Sequence, residues 1–192
     1  MKIYDITQEL FSCTVYPGDP APERRTLLST AAGDVCNLTA LSLCAHNGTH
    51  IDAPFHFLGE GKTVDQMPLE TFVGDCYVAR HSGDVTEADA RRILADAKGV
   101  RRILIAGDAT VTAPAARVFA AGDILLLGNE SQTVGPENAP MEVHLILLGK
   151  GIALLEGVVL TDVPAGFYFL SAAPVNLGGA DGAPCRAYLI AK

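Results

Sequence analysis

Apolar and polar residues alternate from Leu38 to Ala45, placing Leu41 and Leu43 on one face, and that two-residue period predicts a strand. Met1 to Leu10 reads as an opening strand and its exit, and Phe72 to Arg80 as a longer strand. Two apolar runs, Val100 to Ala106 and Asp123 to Leu127, each close at a glycine and predict buried strands. Ile152 to Leu155 predicts another, which Val158 to Thr161 continues or follows. Phe167 to Ala172 is a further strand, and Ala187 to Ile190 closes the domain. Helical signals are fewer. Thr86 can cap a helix running to about Ala97 and ending at Gly99, with Glu87 and Asp89 in its first turn, where acidic groups favour the helix dipole. Pro114 to Ala120 and Pro140 to Leu148 suit short helices, the second stopped by Gly149. Val15 to Pro22, Asn47-Gly48 and Gly59 to Met67 read as turns and loops. Strands outnumbering helices predict a mixed α/β domain.

The chain has 192 residues, 49% of them hydrophobic, with no repeat, low-complexity tract or linker. That suits a single domain spanning residues 1–192. A net charge of -8 argues against nucleic-acid binding, which needs a basic footprint. The pairs Arg24-Arg25, Arg91-Arg92 and Arg101-Arg102 are scattered, and read as solvated element edges. The most apolar stretch, Val143 to Leu160, is interrupted by glycines, Lys150 and Glu156, so no membrane span is expected. Residues Met1 to Phe11 lack a basic region followed by an apolar one, so no targeting segment is expected either. Five cysteines without a CxxC read as reduced, mostly buried thiols of a cytoplasmic protein.

Three of the five histidines, His46, His50 and His56, fall within eleven residues, with Asp52 between them. On an extended backbone His50 and Asp52 share a face, and Gly48 lets the chain bend to bring His46 near. Pro54 and Gly48 disfavour a helix, so this is not a helical HExxH site. Two imidazoles and a carboxylate suit zinc or manganese. His144 and Glu156 are more distant candidates. A carboxylate in the apolar run Leu154 to Val158 is costly unless paired, so Glu156 either meets a metal or a base or ends its strand in solvent. His81, beside Ser82-Gly83-Asp84, reads as a loop residue.

The segment His46-x-Gly48-Thr49-His50-x-Asp52-x-Pro54-x-His56 resembles the signature of the cyclase-type metal-dependent hydrolases, a group that includes bacterial kynurenine formamidases and isatin hydrolases. The resemblance runs from Tyr4-Asp5-Ile6-Thr7 to Gly179-Ala180-Asp181-Gly182-Ala183-Pro184, and His144 and Glu156 fit its second ligand pair. It implies a single compact β-rich α/β domain of the swivelling β/β/α type. It implies that His46, His50 and Asp52 hold one divalent metal, and that Asp52 bridges to a second completed by His144 and Glu156, giving one or two zinc or manganese ions per chain. His56 would be the general acid/base. The implied substrate is a small amide, ester or lactone, and the implied assembly a homodimer or homotetramer.

Two departures bear on the pocket. Tyr16 stands where kynurenine formamidases usually carry a substrate-contacting tryptophan, and the chain has no tryptophan. Gly128-Asn129-Glu130-Ser131-Gln132 lacks the aspartate expected there. Tyrosine offers less ring area and adds a hydroxyl that can bind a polar substrate group, so slower turnover of N-formylkynurenine than of another small carbonyl substrate is expected. The alternative is a non-catalytic metal- or small-ligand-binding protein on the same fold. His56 favours catalysis, because a binding module has no need of a further histidine beside a filled shell. A third possibility is a mononuclear enzyme in which His144 and Glu156 only support the ligands.

Overall fold

Three strand–helix–strand crossovers organise the middle of the chain. The structure is a computed structural model that describes residues 1–192. Its elements in order are β1 (Ile3–Asp5), β2 (Glu23–Leu28), β3 (Leu38–Ser42), β4 (His50–Asp52), β5 (Val73–Arg80), β6 (Gly83–Val85), α1 (Glu87–Asp96), β7 (Arg102–Ala106), β8 (Ala109–Val111), α2 (Ala113–Ala121), β9 (Leu126–Asn129), α3 (Met141–Leu148), β10 (Ala153–Glu156), β11 (Gly166–Ser171), β12 (Gly182–Pro184) and β13 (Tyr188–Ala191). The main sheet runs β1-β13-β11-β5-β7-β9-β10-β4-β12. Its centre, β5-β7-β9-β10, is parallel, because each successive pair is joined through α1, α2 or α3. The flanks are antiparallel.

The strand period divides the interior into two cores. Ile103, Ile105, Leu127 and Leu154 pack under the helices with Ile93, Phe119 and Leu147. Their neighbours Leu104, Ala106, Leu126 and Leu155 face the opposite way, with Ile6, Phe72, Tyr168 and Leu189, inside the curl of the sheet. Burying each large aliphatic side chain stabilises the fold by about 1.5–3 kcal/mol relative to exposure. Thr86 caps α1 as expected: its hydroxyl accepts from the Asp89 N–H, and the Asp89 carboxylate accepts from the Thr86 N–H.

Several expectations shift. The run Asp123 to Leu127 becomes β9, displaced towards Asn129. Val158 to Thr161 is not a strand, because Gly157 breaks β10 with φ +65°. A Cβ on Gly157 would lie 2.5 Å from the Gly48 carbonyl oxygen, so only glycine allows these two segments to touch. Leu41 and Leu43 lie in β3 and just beyond it, yet stay exposed, since β3 pairs only with β2 in a separate hairpin. Arg102 is not at a solvated edge. It is buried, and its guanidinium donates to the carbonyls of Glu70, Thr71 and Asp75. Of the five free thiols only Cys76 and Cys185 are buried, while Cys36 is exposed. No helix is long and apolar enough to cross a membrane.

Candidate metal centre

Strand β4 lies between β10 and β12, with His50 opposite Glu156 and Asp52 opposite Gly182. Directly opposed residues share a sheet face, and so do residues two apart, so this register puts His50, Asp52 and Glu156 on one side. Thr49 fastens the strand: its hydroxyl donates to the Gly157 carbonyl at 2.6 Å and accepts from the Gln8 N–H. Asn47 closes the preceding turn, accepting from the Cys44 N–H and donating to Pro20 O. Helix α3 brings His144 to the Asp52 carboxylate.

Asp52 occupies the centre. Its Oδ1 lies 2.7 Å from His46 Nδ1 and 3.3 Å from His50 Nε2. Its Oδ2 lies 3.5 Å from His144 Nε2 and 4.0 Å from His56 Nε2. Glu156 faces the same two buried histidines, 3.5 Å from His50 Nε2 and 3.2 Å from His144 Nε2. It is buried, not solvated at a strand end, and one of its oxygens also accepts from the Val134 N–H. His50 Nδ1 donates to Gly48 O and His144 Nδ1 to Pro140 O, which turns both Nε2 atoms towards the carboxylates, where each can hold a proton or ligate a metal.

The cluster attracts positive charge. Burial pushes the His50 and His144 pKa values down, but hydrogen bonds and charges from Asp52 and Glu156 outweigh it. His50 is held well above its ordinary value and His144 is raised to about 10. Burial would raise the Asp52 pKa, yet His144, His46 and His50 hold it well below the carboxylate range. Asp52 Oδ2 is fully buried and makes no hydrogen bond. A buried carboxylate oxygen among imidazole Nε2 atoms is costly in a protein interior unless a proton or a metal cation lies between them. The donor set therefore fits a divalent metal. Donor atoms of His50, Asp52 and Glu156 lie within 4.8 Å of one another, as do those of His46, Asp52 and His56. His144 Nε2, 3.2 Å from Glu156 and 3.5 Å from Asp52, lies beside the same two carboxylates.

The cluster floors a cavity of about 230 Å³, lined also by Tyr16, Asp19, Phe57, Gln132, Thr133 and Pro140. The Tyr16 ring lines it, but the Tyr16 hydroxyl donates to Glu137 O, anchoring its loop. In the departing loop, Glu130 accepts from the N–H groups of Gly107 and Leu160, and Asn129 donates to Ala109 O. Only Gln132 of that loop reaches the cavity. His81 stays outside, its Nε2 donating to Asp84 O. Asp181 went unassigned in the sequence. Its carboxylate reaches His46 at 2.9 Å and His56 at 3.2 Å. The available signal was an acidic residue between Gly179 and Gly182 in a glycine-rich segment.

A buried histidine–carboxylate cluster beneath a small cavity, on this fold, defines a class: the metal-dependent hydrolases, whose chemistry depends on a divalent ion. The chain belongs to the Cyclase family, whose profile ("Putative cyclase") matches residues 4–130. It is 34% identical to the kynurenine formamidase of Salinibacter ruber over 98% of this chain and 97% of that protein. The kynurenine formamidase of Geobacillus thermodenitrificans is also 34% identical, over 96% and 95%. Among solved structures, a predicted metal-dependent hydrolase from Bacillus stearothermophilus superposes with TM-score 0.83 at 29% identity, covering 98% of this chain and 97% of its own. Isatin hydrolase A from Labrenzia aggregata shares the fold with TM-score 0.85 at 21% identity, covering 100% and 94%.

Proposed function

We propose that the protein hydrolyses the C–N bond of a small N-formylated aromatic amine, releasing formate and the free amine. The observation that carries this reading is the buried, unpartnered Asp52 Oδ2 under a cavity walled by Tyr16 and Phe57. Its formamidase relatives support the same bond type. His46, His50, Asp52, His144 and Glu156 would hold the metal, one or two zinc or manganese ions per chain. When bound, the metal supplies Lewis acidity, polarising the amide carbonyl and acidifying water. His56 takes the proton of the attacking water and returns it to the departing amine. Its Nδ1 is engaged by Asp181, so Nε2 is the nitrogen free for this transfer. The lining holds Asp19 and Glu156 and no lysine or arginine, which supports a substrate without net negative charge.

A cavity of about 230 Å³ is below the size usual for drug-sized ligands, and the Tyr16 ring is smaller than an indole. Both support slower turnover of N-formylkynurenine than of a smaller aryl formamide. The test measures metal content and kcat/KM for N-formylkynurenine, formanilide, a lactone and a cyclic amide, in wild type and Tyr16→Trp. Formanilide should be favoured, and tryptophan should raise the rate on N-formylkynurenine. Metal-loaded protein that turns over lactones but no formamide would overturn the reading. N-formylkynurenine as the better substrate would overturn the pocket argument.

The five free thiols support a cytoplasmic location. The β2–β3 hairpin, with Leu27, Leu38 and Leu41 exposed, supports a homodimer or homotetramer, since an isolated two-stranded hairpin is marginal in water. Light scattering of wild type and Leu41→Glu checks that assembly, and a monomeric wild type would refute it.

A further inference from the structure

One oxygen of Asp181, Oδ2, accepts from two histidines of the site, His46 through Nε2 at 2.9 Å and His56 through Nδ1 at 3.2 Å. The two rings lie against each other with centroids 4.0 Å apart and planes tilted by 33°. A shared acceptor on one edge of this pair therefore fixes the rotation of both. A neutral imidazole that donates from one nitrogen offers the other as a lone pair. For His46 that nitrogen is Nδ1, 2.7 Å from Asp52 Oδ1. Two acceptors that close need a proton between them or a metal ion they both ligate. For His56 it is Nε2, turned towards Asp52 Oδ2.

The carboxylate is itself held. Asp181 O accepts from the Ala53 N–H at 2.9 Å, directly after the ligand strand β4. Ala180 O accepts from the Val64 N–H, and the Gly179 N–H donates to Asp65. Gly182 pairs with Asp52 in the sheet, and a Cβ there would fall 2.9 Å from His46 Cε1. The backbone on both sides of Asp181 is thus tied to the segment that carries His50, Asp52 and His56. Such support is what lets a half-exposed side chain keep a defined geometry.

We propose that Asp181 is the positioning residue of the centre: one carboxylate sets the ring tautomers of His46 and His56 together, orienting the metal ligand and the proton carrier. This rests on the metal-centre reading above. The test uses zinc-loaded protein with nitrogen-15-labelled histidine, wild type, Asp181→Ala and Asp181→Asn. Long-range nitrogen–proton correlation reads the tautomer of His56, chelator competition reads zinc affinity, and steady-state kinetics separate kcat from KM. Wild-type His56 should carry its proton on Nδ1. Asp181→Ala should lose that preference, bind zinc about 10–100-fold more weakly and lose kcat by a similar factor with KM nearly unchanged. Asp181→Asn retains an acceptor oxygen and should recover the tautomer and most of the zinc affinity. An Asp181→Ala protein with the wild-type tautomer, zinc affinity and kcat would overturn the proposal, as would a change in KM alone. A wild type that binds no zinc would sink the metal-centre reading instead, and the His56 tautomer would still decide the role of Asp181.

Discussion

Gly182→Ala tests whether the sheet places the metal ligands. A Cβ at this position would lie 2.6 Å from the Ile51 carbonyl oxygen and 2.9 Å from His46 Cε1. Neither neighbour is the end of a flexible chain: one is backbone of β4, and the other is a ring held by Asp52 and Asp181. Ordinary carbon contacts begin near 3.4 Å, so the His46 ring must retreat by about 0.5 Å or β12 must move outward. Metal–ligand distances tolerate only about 0.2 Å, so the displacement exceeds what the centre absorbs. Overpacking of this kind costs about 1–3 kcal/mol. For a chain of this length that lowers Tm by about 2–12 °C. Zinc affinity should fall by at least the roughly 10–100-fold that loss of a supporting partner costs. The assay is chelator competition on protein reloaded with zinc, alongside a thermal melt of the metal-free form. Gly178→Ala is the control, since nothing lies within 4 Å of a Cβ there. If Gly182→Ala matched Gly178→Ala in both zinc affinity and Tm, the claim that the β4–β12 register fixes His46 would be refuted.

Three further outcomes are expected. His56→Ala should keep its metal and its Tm but lose turnover by about 10²–10⁴-fold, measured with the best substrate found; loss of metal would make His56 a ligand instead. In metal-free protein the His144 pKa, raised to about 10, exceeds its ordinary value of 6.5. Its contribution to stability is therefore fully present below that ordinary value and is lost as pH rises towards 10, so the metal-free Tm should fall across that interval. Zinc binding near about pH 8 should release protons, read by calorimetry in buffers of different ionisation enthalpy, and zero release would contradict the picture of protons held on His50 and His144. Cys36 should react quickly with a disulfide reagent, whereas Cys76 and Cys185, buried and with the Cys185 thiol pushed up to about 12, should react only on unfolding. Rapid modification of all five thiols in native protein would show that these cores are open.

The sequence alone determined the local chemistry. Three histidines and Asp52 within eleven residues, broken by Gly48 and Pro54, pointed to ligands because close spacing on an extended backbone already fixes which side chains share a face. Thr86 as a cap and the buried runs of β7 and β10 were legible for the same reason, since caps and periodicity are properties of neighbouring residues. What lay beyond local reach was anything decided by pairing between distant segments. Glu156 could equally have ended a strand in solvent, and only the β4–β10 register put it opposite His50. Leu41 and Leu43 alternate like core residues, but β3 found only β2 as a partner and left them exposed. Arg102 looked solvated until the backbone of Glu70 to Asp75 folded over its guanidinium. Asp181, more than a hundred residues from His56, gave no spacing signal at all. A hydrogen bond is specified by two positions in space, and for segments so far apart in the chain only the closed sheet brings them together.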